Sequence, residues 1–136
     1  MSRIVVILLI LLASPASAEH TVYYRYVVLG FVKDAKGNVL PGRDVDVVRN
    51  KTGLAYPGRT DEGGLFVIVV RLGDESAGES LTVRVGPAQT TVTARFDPAD
   101  HTHDRGTRVD LDGARFVERT SAFHPTLARF VGDKRH

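Results

Sequence analysis

Residues 30–66, GFVKDAKGNVLPGRDVDVVRNKTGLAYPGRTDEGGLF, decide the fold. Apolar positions alternate through Val28, Gly30 and Val32, and a polar cluster of Asp34, Lys36, Gly37 and Asn38 follows. Alternation then resumes at Val45 and Val47. A period of two puts successive side chains on opposite faces of a strand, and clustered Gly, Asn and Asp mark the reversals. Asp34 can accept from backbone N–H groups ahead of it, while Gly37 can take a positive φ that a Cβ would penalise. Pro41-Gly42 suits the two central positions of a second turn. Two reversals this close together exclude a helix. Further turns are expected at Thr52-Gly53 and at residues 60–64, which lead into the apolar run 65–70, LFVIVV.

Working outward, residues 22–32 form an expected first strand that is apolar on both alternations. Tyr24, Tyr26, Val28 and Val32 fall on one face, and Tyr23, Val27, Leu29 and Phe31 on the other. Such a strand is either packed on both sides within its domain or turns its second face to a partner. Residues 44–48 place Val45 and Val47 inward, and the wholly apolar residues 65–70 form the next strand. Leu81, Val83 and Val85, then Val92, Ala94 and Phe96, then Val109 and Leu111 continue the pattern. About seven short strands without a helical period predict an all-β fold, a single antiparallel β-sandwich. From Asp112 onward the alternation stops. Residues 113–136 are expected to be an irregular tail, with at most one or two helical turns near Leu127 and Phe130, because Pro125 interrupts anything longer.

The order of these signals carries a resemblance. Gly30-x-Val32-x-Asp34-x-x-Gly37, Leu40-Pro41-Gly42-x-x-Val45-x-Val47, Thr52-Gly53 and Thr60-Asp61-x-x-Gly64-x-Phe66 resemble a carboxypeptidase regulatory-like domain of the transthyretin-like (prealbumin-like) β-sandwich group. The resemblance covers residues 27–111. It implies a Greek-key, Ig-like sandwich over residues 19–112, non-catalytic and working beside other extracytoplasmic proteins. Arg43 departs from the small residue common there, and the enzyme domain to which such modules are often joined has no counterpart in this chain. The group also includes hydrolases of a purine breakdown product. Their C-terminal Tyr-Arg-Gly-Ser motif has no counterpart here, so a transthyretin-like hydrolase is the weakest expectation.

Composition narrows the compartment. Arg3, the apolar run 4–12 and Ala16-Ser17-Ala18 have the form of a secretory signal peptide over residues 1–18, cleaved after Ala18. The apolar run is shorter than a spanning helix requires, and no later segment is apolar enough, so no membrane span is expected after leader removal. A periplasmic or secreted location follows. Of the 18 Lys and Arg, Arg3 lies in the leader, which leaves 17 against 16 Asp and Glu. That balance argues against nucleic acid as a partner. The chain has no cysteine, which excludes thiol chemistry, disulfides and thiolate metal sites.

Two constellations are candidate sites. His101 and His103, two residues apart and flanked by Asp100 and Asp104, fall on one side of an extended chain. They supply donors suited to a divalent metal of the copper type, with His20 as an additional imidazole near the new N-terminus. The competing reading is a solvated turn-rich loop. Tyr23, Tyr24 and Tyr26 form a candidate aromatic patch for a protein or glycan partner. Asp34, Asp61 and Glu62 suggest calcium less than local turn bonding. Ser76, Ser80 and Ser121 lie in no nucleophile motif. No cofactor is expected. The sequence thus points to an exported, non-catalytic interaction module, with a periplasmic metal-binding protein as the alternative.

Overall fold

Alternation becomes two facing layers. The computed structural model describes residues 24–134, in the order β1 (Tyr26–Lys33), β2 (Asp44–Arg49), β3 (Leu54–Arg59), β4 (Leu65–Val70), β5 (Ser80–Val85), β6 (Ala88–Thr93), β7 (Gly106–Asp112), β8 (Arg115–Glu118) and one helix, α1 (Phe123–Lys134). The leader, His20 and Tyr23 lie outside the described residues. One sheet has the order β4-β1-β7-β8 and the other β3-β2-β5-β6, so the fold is an all-β sandwich. Between the layers lie Tyr26, Val28, Val32, Val45, Val47, Phe66, Ile68, Val70, Leu81, Val83, Val85, Val92, Ala94, Val109 and Leu111. Val45, Val47, Leu81, Val83, Val85, Val92, Ala94, Val109 and Leu111 are where alternation placed them, with Phe96 packed at the margin; β1 and β4, apolar on both faces, take their inward sets from the packing. Asp34 closes its turn as expected, accepting from the N–H groups of Lys36 and Asn38 at 2.9 Å each.

Three expectations need correction. The sandwich has eight strands rather than about seven, and it is not wholly antiparallel, because β1 pairs with β7 in parallel while pairing antiparallel with β4. The extra strands are β3 and β8. β3 contains Pro57 and Gly58, which argue against a strand, but it lies at a sheet edge where the missing N–H of proline leaves one side of the ladder intact. Gly58 is needed there, since a Cβ would come within 2.6 Å of the Ile68 side chain.

Residues 113–136 are not an irregular tail. Asp112 pairs with Arg115 across a tight reversal, and β8 adds to the sheet edge next to β7. The 12-residue α1 follows. Pro125 sits in its first turn, where backbone N–H groups have no intrahelical partner, so it does not break the helix. Phe123 is fully buried against Val27 and Leu29, with Leu127, Leu65 and Val67 around them. The Val27–Leu29 part of the second apolar face of β1 is therefore covered by the chain's own helix. Burying a side chain of this kind is worth about 2–3 kcal/mol, which offsets the nucleation cost of a short helix.

Asp110 joins these parts. It lies on the helix side of β7, and only 3% of its side chain is exposed. Its Oδ1 accepts from the N–H of Phe31 at 2.9 Å and from Arg108 Nε at 3.0 Å, and its Oδ2 accepts from Arg108 Nη2 at 2.9 Å and from Arg119. Arg108 Nη1 in turn donates to Thr126 Oγ1 on α1 at 3.0 Å. Burial alone would raise this carboxyl's pKa, but Arg108, the Phe31 N–H and Arg119 together hold it below the ordinary value. Asp110→Ala would leave two arginines and a backbone N–H without their acceptor, and a loss of about 3 kcal/mol or more is expected in urea unfolding. Asp110→Asn, which keeps an acceptor for Phe31, should lose less; equal losses would show that the charge accounts for the whole contribution and the neutral acceptor for none of it.

Candidate functional site

The loop joining the strand region of β6 to β7 carries both predicted histidines. It is built from turns. Asp97 accepts from Ala99 N–H at 2.9 Å, and Asp100 Oδ1 accepts from Thr102 N–H at 2.9 Å and Thr102 Oγ1 at 2.8 Å. The loop is curled rather than extended, so the two imidazoles go to different carboxylates. His101 Nε2 lies 2.9 Å from Asp74 Oδ2, and His103 Nδ1 lies 2.8 Å from Asp100 Oδ2. Asp74 comes from the single 3-10 turn Asp74–Ser76 that follows β4, a contact that no local spacing announces.

Arg105 anchors the loop from beneath. Its side chain is 7% exposed, pairs with Asp74 Oδ1 at 2.9 Å, donates to the Asp100 carbonyl at 3.2 Å and lies 4.3 Å from the centre of the Phe96 ring. Asp74 is held below the ordinary carboxylate pKa, first by the Arg105 bond and then by His101. Asp100 is held lower still, first by the Thr102 N–H, then by the Thr102 hydroxyl and His103. On α1, His124 Nε2 donates to the Asp104 carbonyl at 3.0 Å, which fixes its tautomer.

Two hollows open beside this loop. One, of about 210 Å³, is bordered by Arg25, His101, His103 and Arg105; the other, of about 290 Å³, by Phe96, His103, Thr120 and His124. The end of the sandwich is thus polar and rich in imidazole. Metal coordination finds little support in its geometry: among the described residues no group of three or more His, Cys, Asp or Glu is placed to hold an ion. Asp100, His103 and Thr102 form a superficial acid-imidazole-hydroxyl set. A proton relay needs the carboxylate on one ring nitrogen and the hydroxyl on the other. Here Thr102 Oγ1, at 3.1 Å, and Asp100 both contact Nδ1, the geometry of a turn.

The tyrosine patch dissolves. Tyr26 is 1% exposed and points between the sheets, where burial pushes its hydroxyl up to about 12 despite a bond from the Arg95 backbone. Tyr24 is half-buried with its ring against Gly73. Tyr26 is withdrawn from any surface because it falls on the face of β1 that meets the second sheet. Asp34 and Asp61 serve their own turns, Asp61 Oδ1 accepting from Gly63 and Leu65. Ser76 is fully buried beside the bidentate Arg49–Glu79 pair, at 2.8 and 2.7 Å.

No family model matches the chain, and no curated protein matches it. Among solved structures it is similar to the crystal structure of chlorocatechol 1,2-dioxygenase from Pseudomonas putida, at a TM-score of 0.40 and 15% identity. The match covers 71% of this chain, which spans 61% of that enzyme's length.

The loop's dependence on Asp74 has a measurable sign. A depressed carboxyl pKa adds stability above the unfolded value, near 3.8, that is lost as pH falls through the folded value. Asp74→Asn should therefore lower the melting temperature at neutral pH and speed amide exchange across residues 98–104. The gap from wild type should close as the pH drops below 3.8. A gap independent of pH would assign the effect to packing.

Proposed function

We propose that this protein is an exported, non-catalytic β-sandwich module that binds a protein partner by strand pairing at the free edge of β6. The carrying observation is the character of that edge. β6 ends its sheet, and its sequence, AQTTVT, contains no proline and no charge. Natural edge strands are usually blunted by Pro, by charge or by short length, because unpaired N–H and C=O groups recruit another strand. The opposite edge of the same sheet, β3, contains Pro57 and the charged Arg59, whereas β6 is six residues without either. Strand addition takes affinity from main-chain bonds and specificity from alternate side chains, and Gln89 and Thr91 are exposed to supply the latter.

The resemblance of residues 27–111 to a carboxypeptidase regulatory-like domain supports the same reading, and with it a Greek-key, transthyretin-like topology. The leader-like residues 1–18 support export to the periplasm or beyond. No helix among the described residues is long and apolar enough to cross a membrane.

Successive residues of an edge strand aim their N–H groups alternately at the neighbour and at the open side. One of Thr90→Pro and Thr91→Pro therefore removes an outward donor, and the other removes a bond to β5. The outward variant should keep its melting temperature and lose recovery of the partner that wild-type protein captures from envelope extract, while the inward one loses stability. Full recovery by both folded variants would rule out pairing at β6.

A further inference from the structure

α1 covers only part of the outer face of β1 and β4. Phe31 and Leu65 are cross-strand partners on that face; Leu65 packs at the edge of the Val27, Leu29 and Phe123 cluster, and Phe31 lies outside it. The uncovered remainder is a cleft of about 470 Å³, with Phe31 and Leu65 on the sheet, Thr126, Arg129 and Phe130 on the helix, and the Asp61 turn on the far side. That size lies within the roughly 300–1,000 Å³ usual for small-molecule sites. It is larger than either hollow at the histidine end.

The charges around it are uneven. Arg129 lines the cleft without an ion-pair partner among the described residues, and Lys33 Nζ, also unpaired there, lies 6.0 Å from the centre of the Phe31 ring. The other cation against Phe31, Arg108 at 4.9 Å, is already neutralised by Asp110. The acid lining the cleft, Asp61, directs Oδ1 to two backbone N–H groups of its own turn. An apolar floor thus carries near its rim two cations that have no ion-pair partner among the described residues.

We propose that this cleft binds a small amphipathic carboxylate of medium chain length. Its alkyl body lies over Phe31 and Leu65 against Phe130, and its carboxylate is held by Arg129 with Lys33 nearby. Guanidinium is suited to this role because its fork of donors matches a carboxylate's two oxygens. The site is on the other sheet from β6, so it neither requires strand pairing nor competes with it.

Decanoate titrated below its micellar concentration into isotope-labelled protein tests this, with decanol as the uncharged analogue. Saturable amide shifts are expected at Phe31, Leu65, Thr126 and Arg129, with decanol at least about tenfold weaker, the scale of one lost charge-assisted bond. Arg129→Gln, an exposed substitution that should leave the melting temperature unchanged, should weaken decanoate about tenfold and leave decanol unaffected. Lys33→Gln should weaken it less. Equal binding of decanoate and decanol, shifts centred elsewhere, or no saturation at millimolar ligand would each overturn the assignment.

Discussion

A single buried carboxylate holds the C-terminal part of this fold to its first strand. β1 and β7 run parallel, and at Gly30 the two backbones approach so closely that a Cβ would fall 1.7 Å from the Val109 carbonyl oxygen. The regular register is recorded on either side of this point, at Leu29 with Arg108 and Val32 with Leu111. Between them the Phe31 N–H bonds to the Asp110 side chain. Leaving that donor unmet in a covered face would cost about 1–3 kcal/mol, and burying a lone carboxylate would cost more. Arg108 and Arg119 answer the second cost, and by reaching Thr126 and Asp112 they tie in α1 and the end of β7. Glycine at 30 and aspartate at 110 are thus one structural solution: the first permits the approach, and the second supplies the acceptor.

From this follows the treatment of β1 as a strand buried on both sides. Its inner residues meet the second sheet across the core, as any sandwich strand does. Its outer residues, Val27 and Leu29, would be exposed if the chain stopped at β7. α1 cannot be stable alone, because its length is near the limit at which isolated helices form in water. It is held where Phe123 and Leu127 exchange water for that face and where Thr126 joins the Arg108 network. The helix and the apolar outer face therefore explain each other.

Much of this was legible. The inward sets of β2, β5 and β7 followed from period two, whereas β4, LFVIVV, is apolar at every position and period two leaves its inward face open. Legibility failed where tertiary context overrode a local signal. Pro57 and Gly58 mask β3, and only its place at an edge beside Ile68 makes them tolerable. β8 has a weak local signal: the two-residue loop Gly113-Ala114, with glycine at positive φ, suits a hairpin, but few apolar residues follow it. Parallel pairing of β1 with β7 had none, since it joins residues 79 positions apart. The histidine pair was legible as residues but not as a geometry, which depends on Asp74 and Arg105, neither of which its spacing reveals. Tyr26 misled because a strand apolar on both alternations does not tell which face meets the second sheet.

The distribution of charge then separates the two ends of the molecule. Around the histidine loop and beneath α1, acids are consumed internally: Asp74 by Arg105 and His101, Asp100 by its turn and His103, Asp110 and Asp112 by Arg108 and Arg119. Each depressed carboxyl pKa in these clusters has a structural partner as its cause, so these shifts are accounted for by folding without assigning them to chemistry. The cations beside the Phe31 cleft and the main-chain groups along β6 lie outside these clusters, on the surfaces where the proposed ligand and partner would bind.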